Sequence, residues 1–362
     1  MTYGDERRYM ALVSKSKVQM EGLGEVGAID VGLINSFKRV SNLVKALVSS
    51  EGDAFQVKIL EGTKNARLVA IKPGRLLLEI LKVPIPNDSK FNSLYAVEPY
   101  VEMAVKRIMD FDLCQLRLTL FHVRLIEEVQ RRNDHFNKCV EMIREEARSK
   151  AFKAKVNSYQ RSSNKNYKEL VGYIDALFVR YSRLLVVRLD LSYSRENCDV
   201  TQADAARDRK RLFENARSNN LFANMVGWIW KLEHGPKKGF HYHMLFFFDG
   251  SKVRRDIGIA WLIGQYWVDV VTKGRGLYYN CNRNCFYYKS CGVGMVSHSD
   301  AQARQGLRNA ALYLTKTDLF MRLRAEGRCI GKMNRPANKD PRGRPRALSC
   351  LVGDCEMFSE PV

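Results

Sequence analysis

His241 and His243, separated by one tyrosine in the run FHYHMLFFF, are the residues of this chain best suited to hold a metal ion. Side chains alternate across a strand, so the two imidazoles share one face and the Tyr242 ring takes the other. The run VGWIWKLE, ending at Glu233, precedes them across HGPKKG, whose glycines and proline are turn chemistry. If Gly235 and Gly239 bound that turn, 233 lies opposite 241 and 231 opposite 243. Glu233 then stands within about 5 to 8 Å of both imidazoles. The same alternation sends Trp228, Trp230 and Leu232 to the other face. Glu233 is left on the less apolar face, where a carboxylate needs a partner, and a divalent cation is one. Two imidazoles and one carboxylate leave coordination positions free for a substrate oxygen. The mixed set suits Mg²⁺ or Mn²⁺, and also Zn²⁺. A slip of one residue in register turns Glu233 away and removes the site.

A second constellation is Tyr313-Leu314-Thr315-Lys316. Leu307, Ala310, Ala311, Leu314 and Met321 form one apolar arc of a helix expected from about Ser299 to Ala325, and Tyr313 and Lys316 project together from its flank. A phenol with a reference pKa near 10 becomes a phosphorus nucleophile only with help, which a neighbouring ammonium or metal supplies.

Such groups must be carried on a rigid frame. Residues 183–191 (RLLVVRLDL) read as a strand, Thr201 to Ser218 as a helix capped by Thr201 with Asp204, and Ile257 to Val271 as a further helix. Upstream, Leu33, Phe37, Val40, Val44 and Leu47 recur at helical spacing, as do apolar positions between Val97 and Ile143. Phe55 to Leu81 suits strands. Residues 144–168, rich in Lys and Arg with clustered Ser and Asn, suit an exposed connector. The expected organisation is a mainly helical accessory domain over 1–150, an α+β domain with an antiparallel sheet over 151–335, and a flexible basic tail over 336–362. Arg322, Arg324 and Arg328 are expected on a solvated or phosphate-facing helix flank. Cys281, Cys285, Cys291 and His298 lack the paired spacing of a zinc knuckle.

Lys and Arg number 60 against 39 Asp and Glu, a net charge of +21 that favours a polyanion, above all nucleic acid, as partner. With 46% hydrophobic residues the chain is not a disordered basic tail. No apolar run approaches the roughly 18 to 20 residues that cross a bilayer, and nine scattered cysteines suit a reducing cytoplasm.

The segments YIDALFVRYSRLLVVRLDLSYS, GWIWKLEHGPKKGFHYHMLFFFDG, IGQYW and ALYLTKTDLF, in that order, resemble the HUH endonucleases. Within them the chain is most similar to the replication initiators of filamentous phages (inoviruses) and the YagK/YfjJ-like prophage proteins. The resemblance implies a metal-dependent enzyme that nicks and rejoins single-stranded DNA in rolling-circle replication. His241 and His243 would be metal ligands with Glu233 as the third, Tyr313 the single nucleophile, and Lys316 its cationic assistant. The implied cofactor is Mg²⁺ or Mn²⁺, and the implied partners are single-stranded or origin DNA and host replication proteins such as a helicase. Two other classes use the same residues: a DNA-binding regulator without chemistry, and a zinc hydrolase that activates water and dispenses with Tyr313.

Overall fold

Two sets of elements follow one another in an α+β architecture, in a computed structural model that describes residues 31–118, 125–197, 199–235, 238–283 and 292–337. The first set comprises α1 (Val31–Val48), β1 (Phe55–Ile59), β2 (Ala66–Ala70), α2 (Lys72–Leu81), α3 (Ser89–Leu94), β3 (Tyr95–Val97), α4 (Pro99–Asp110), α5 (Leu113–Leu118) and α6 (Ile126–Arg148). The second comprises α7 (Lys150–Arg180), β4 (Arg183–Tyr193), α8 (Gln202–Asn215), β5 (Met225–Gly235), β6 (Gly239–Asp249), α9 (Asp256–Tyr266), β7 (Gly276–Asn280), β8 (Gly294–Ser297), α10 (Ala301–Lys316), β9 (Met321–Leu323) and β10 (Ile330–Lys332).

The N-terminal set closes over its own core. Phe37, Val40, Val44 and Leu47 line the buried stripe of α1 and meet Phe55, Leu77, Val101, Phe136, Val140 and Ile143, with Phe152 added from α7. The strand pattern over Phe55–Leu81 holds only in its first part, where β1 and β2 pair antiparallel. From Lys72 the chain is helical, because Pro73 sits in the first turn, where its fixed φ is suitable and its missing N–H costs nothing. Residues 144–168 are not a loop either. Only Ser149 separates α6 from α7, and its hydroxyl caps α7 by accepting the Phe152 N–H at 3.1 Å.

The large sheet has the order β10-β5-β6-β4-β7, with β8 beside the start of β4, and every ladder is antiparallel. Asn282 fills the gap between β7 and β8 by accepting from Arg188 N and donating to Val186 O, both at 2.8 Å. The strand β6 lies centrally and is covered on both faces, which is why FHYHMLFFF is apolar without alternation. Phe240, Tyr242, Met244, Phe246 and Phe248 face a core with Leu189, Leu191, Trp230 and Trp267. Leu245 and Phe247 face the other, with Leu184, Val186 and Ile229, under Leu170, Tyr173 and Leu177 of α7 and Leu307, Ala311 and Leu314 of α10. Each fully buried side chain of this size contributes roughly 1.5 to 3 kcal/mol. Among the described residues, no helix is long and apolar enough to cross a membrane.

The helix carrying Tyr313 is shorter than its apolar arc suggests. It ends at Lys316, a 3₁₀ turn follows over Thr317–Leu319, and Met321–Leu323 form β9 on β3. Pairing with β3 and burial of Phe320 and Leu323 against the N-terminal core take precedence over helix continuation. The expected tail lies outside the described residues from 338 onward, as do Cys285 and Cys291.

Candidate active site

On the face that α7 and α10 cover, each strand changes from apolar to polar towards one end. Leu184 and Val186 give way to Arg188 and Asp190 on β4, Ile229 to Lys231 and Glu233 on β5, and Phe247 and Leu245 to His243 and His241 on β6. The hairpin register makes this possible. Gly235 pairs with Gly239, Glu233 with His241 and Lys231 with His243. Gly239 holds φ at +62°, a conformation that non-glycine residues rarely adopt, so the turn length and hence the register are set there.

Among the described residues, Glu233, His241 and His243 each offer a ligand atom within 4.8 Å of the others, and all three are buried. His243 donates through Nδ1 to Asp190 Oδ1 at 2.6 Å, and its Nε2 lies 3.2 Å from Glu233 Oε2. His241 donates through Nδ1 to Gly239 O at 3.1 Å, which directs Nε2 towards Glu233 Oε2, 3.9 Å away. That Nε2 is buried with no hydrogen-bond partner. An orphaned imidazole nitrogen aimed at a carboxylate fits a cation, since burial otherwise leaves the group unsatisfied.

Electrostatics agree with that fit. Burial lowers the His243 pKa, but Asp190 and Glu233 outweigh it and hold the ring protonated up to about 9. Burial raises Glu233, yet His243, His241 and Lys231 bring it down to about 2. Asp190, also opposed by burial, is held below the carboxylate range by His243 and Arg188. His241 falls to about 4, through burial and then the charge of His243. The His243 ring thus lies between two carboxylates, and the proton on its Nε2, facing Glu233, stands where a divalent ion would bind.

The α10 helix brings Tyr313 to this cluster. Its ring meets His243 edge-to-face with centroids 5.9 Å apart, and the Arg188 guanidinium carbon lies 5.2 Å from the Tyr313 centroid. Tyr313 is 5% exposed, so its ring is fixed by packing as well as by position. Lys316 closes α10 one turn later; its side chain lies outside the described residues.

Four charged groups here escape a reading of motifs. Asp190 orients His243, as an outer carboxylate commonly does for a metal-bound imidazole. Arg188 stands over the Tyr313 ring. Lys238, in the hairpin turn, has its ammonium pKa lowered by burial, against the opposing pull of Asp190, Cys281 and Glu233. Lys231, 4% exposed, pairs with Asp318 at 2.5 Å. Asp190 and Lys231 carry a sequence signal: a charged residue between apolar neighbours inside a strand implies a partner. Arg322 and Arg324 are not on a helix flank. Arg322 donates to Asp318 O at 2.8 Å and to Tyr159 O, and Arg324 to Tyr95 O at 2.9 Å. His234 receives the Tyr95 hydroxyl at Nδ1, 2.6 Å away.

Replacing Asp190 by Asn is expected to weaken Mn²⁺ binding by about 10- to 100-fold while leaving the sheet folded. Titration calorimetry on the folded variant checks this; wild-type affinity would remove Asp190 from the site.

Residues 146–318 match the family model described as the YagK/YfjJ C-terminal domain, a prophage-type family. The matched segment contains Asp190, Glu233, His241, His243, Tyr313 and Lys316. No curated protein and no solved structure matches the chain.

Proposed function

We propose that the protein is a single-tyrosine, metal-dependent DNA nicking and joining enzyme of the HUH type, acting as an initiator of rolling-circle replication. The observation that carries this reading is the meeting of Tyr313 with His243 at the Glu233–His241–His243 cluster. Glu233, His241 and His243 would hold Mg²⁺ or Mn²⁺, which supplies Lewis acidity towards the scissile phosphate. Tyr313 Oη attacks phosphorus, the O–P bond to tyrosine forms, and the bond from phosphorus to the 3′ oxygen breaks. The phenolic proton ends on the departing 3′-hydroxyl. Arg188 supplies positive charge beside the Tyr313 ring, which favours phenolate over phenol; Lys316 is the second cationic assistant in this reading, as the resemblance implies. The phosphotyrosine keeps the energy of the broken linkage, so a 3′-hydroxyl attacking it restores the strand.

Charge supports DNA as the substrate. From Ser149 to Lys168 the chain has six Lys or Arg and no carboxylate. Lys150, Lys153, Arg161, Lys165 and Lys168 are exposed and fall on one stripe of α7, opposite buried Phe152, Ser163 and Leu170. The stripe is about 27 Å long at about 1.5 Å per residue, a length that spans several phosphates.

The test is incubation with labelled single-stranded origin DNA and Mn²⁺. A denaturation-resistant protein–DNA band is expected, absent with a chelator. DNA binding without a band favours the regulator, and cleavage without a band favours a water-activating hydrolase; either outcome overturns the proposal.

A further inference from the structure

Ten residues that follow Tyr313 are held from three directions. On the α7 side, Ser163, 3% exposed, donates its hydroxyl to Thr315 O at 2.8 Å. On the sheet side, Lys231 pairs with Asp318. On the N-terminal side, Glu98 N donates to Phe320 O at 3.0 Å, β9 pairs with β3 through Met321–Val97 and Leu323–Tyr95, and Arg324 N donates to Leu94 O at 2.7 Å. Arg322 adds a stacked contact, with its guanidinium carbon 3.6 Å from the Tyr159 centroid. Phe320 packs against both the N-terminal core and the core beneath α10, and Leu323 joins the N-terminal core to the opposite face of the sheet.

Through Phe320 and Leu323 this segment touches all three cores, and it starts two residues after Tyr313. A helix is stiff over one turn, so fixing Thr315 and Asp318 fixes where Tyr313 stands over His243. Among the described residues, the ligand atoms of the Glu233–His241–His243 cluster come from β5 and β6. Its contacts converge instead on the exit of α10.

We infer that the N-terminal unit is a positioning clamp: through β3 and β9, together with the Lys231–Asp318 pair, it sets α10 so that Tyr313 faces the metal-ligand cluster. The inference rests on the proposed role of Tyr313 for its effect on chemistry, and on the contacts alone for its effect on the helix. Lys231, Asp318 and Arg324 are positioning residues; none has to touch DNA.

Two variants test it. Lys231→Met combined with Asp318→Asn removes the pair without leaving one buried charge alone. Arg324→Met removes an exposed link from β9 to Tyr95 and leaves folding least disturbed. In the full chain, amide hydrogen exchange over residues 307–315 is expected to rise at least tenfold in the double variant and less in Arg324→Met, with 241–247 of β6 unchanged. Single-turnover adduct formation at saturating DNA is expected to slow at least tenfold, with Mn²⁺ affinity weakened less than threefold. Unchanged exchange over 307–315 in both variants overturns the clamp, as does equal acceleration in β6, which signals general loosening. Faster exchange with an unaltered adduct rate overturns its role in placing Tyr313. A wild-type protein that forms no adduct counts against the proposed activity, and the exchange result still decides the clamp.

Discussion

Tyr313→Phe is expected to abolish covalent attachment to DNA, lowering the nicking rate by at least about 10⁴-fold, as removal of a nucleophile does in other covalent enzymes. At about 1.36 kcal/mol per tenfold this is more than about 5 kcal/mol of transition-state stabilisation. Folding should be almost unaffected, since the ring and its edge-to-face contact with His243 remain. DNA affinity and Mn²⁺ binding should remain close to wild type, because the three groups that offer ligand atoms, Glu233, His241 and His243, are untouched. Gel analysis after denaturation, paired with calorimetry for the metal, separates these quantities. Undiminished adduct in the phenylalanine variant would assign the nucleophile elsewhere.

The second large effect concerns the two histidines, which should behave differently although both point at the same place. His243→Ala leaves Asp190 and Glu233 buried with no imidazole between them. Removing one partner of a buried ionic network costs about 3 to 5 kcal/mol. His241→Ala removes a ring that burial already keeps neutral and whose Nε2 has no partner, so it should cost about 1 to 2 kcal/mol. Both variants should lose the stabilisation that metal gives wild type, about 2.7 kcal/mol at 100-fold excess over Kd. Denaturant unfolding with Mn²⁺ and with chelator checks all three figures. Equal destabilisation by the two substitutions would contradict the arrangement of His243 between two carboxylates.

Local chemistry made part of this site legible from residues alone. Gly235 and Gly239 fix the length of a turn, and a fixed turn fixes which residues oppose one another, so the meeting of Glu233 with His241 follows from composition and alternation. The place of Asp190 does not. It depends on pairing β4 with β6 across more than fifty residues, a long-range choice that periodicity cannot express. Helix limits depart from the sequence pattern for physical reasons that differ from place to place. The polar stretch 144–168 has the composition of a loop, yet it contains no Gly or Pro, and that absence was the sign of a solvated helix. The segment after Lys316 keeps a helical arc through Met321 but is captured by β3, a partner more than two hundred residues earlier. Pro73 at the opening of α2 was a readable helix start amid residues that otherwise suit strands.

Ser149 is the entire joint between α6 and α7, and Phe152, three residues later, belongs to the N-terminal core. A fragment cut at the start of the matched family segment would carry Phe152 stripped of its neighbours and an uncovered Phe320, Met321 and Leu323. Laboratory dissection of the chain at that point should therefore yield a sticky, aggregation-prone product, and recombination between relatives would have to exchange both halves together.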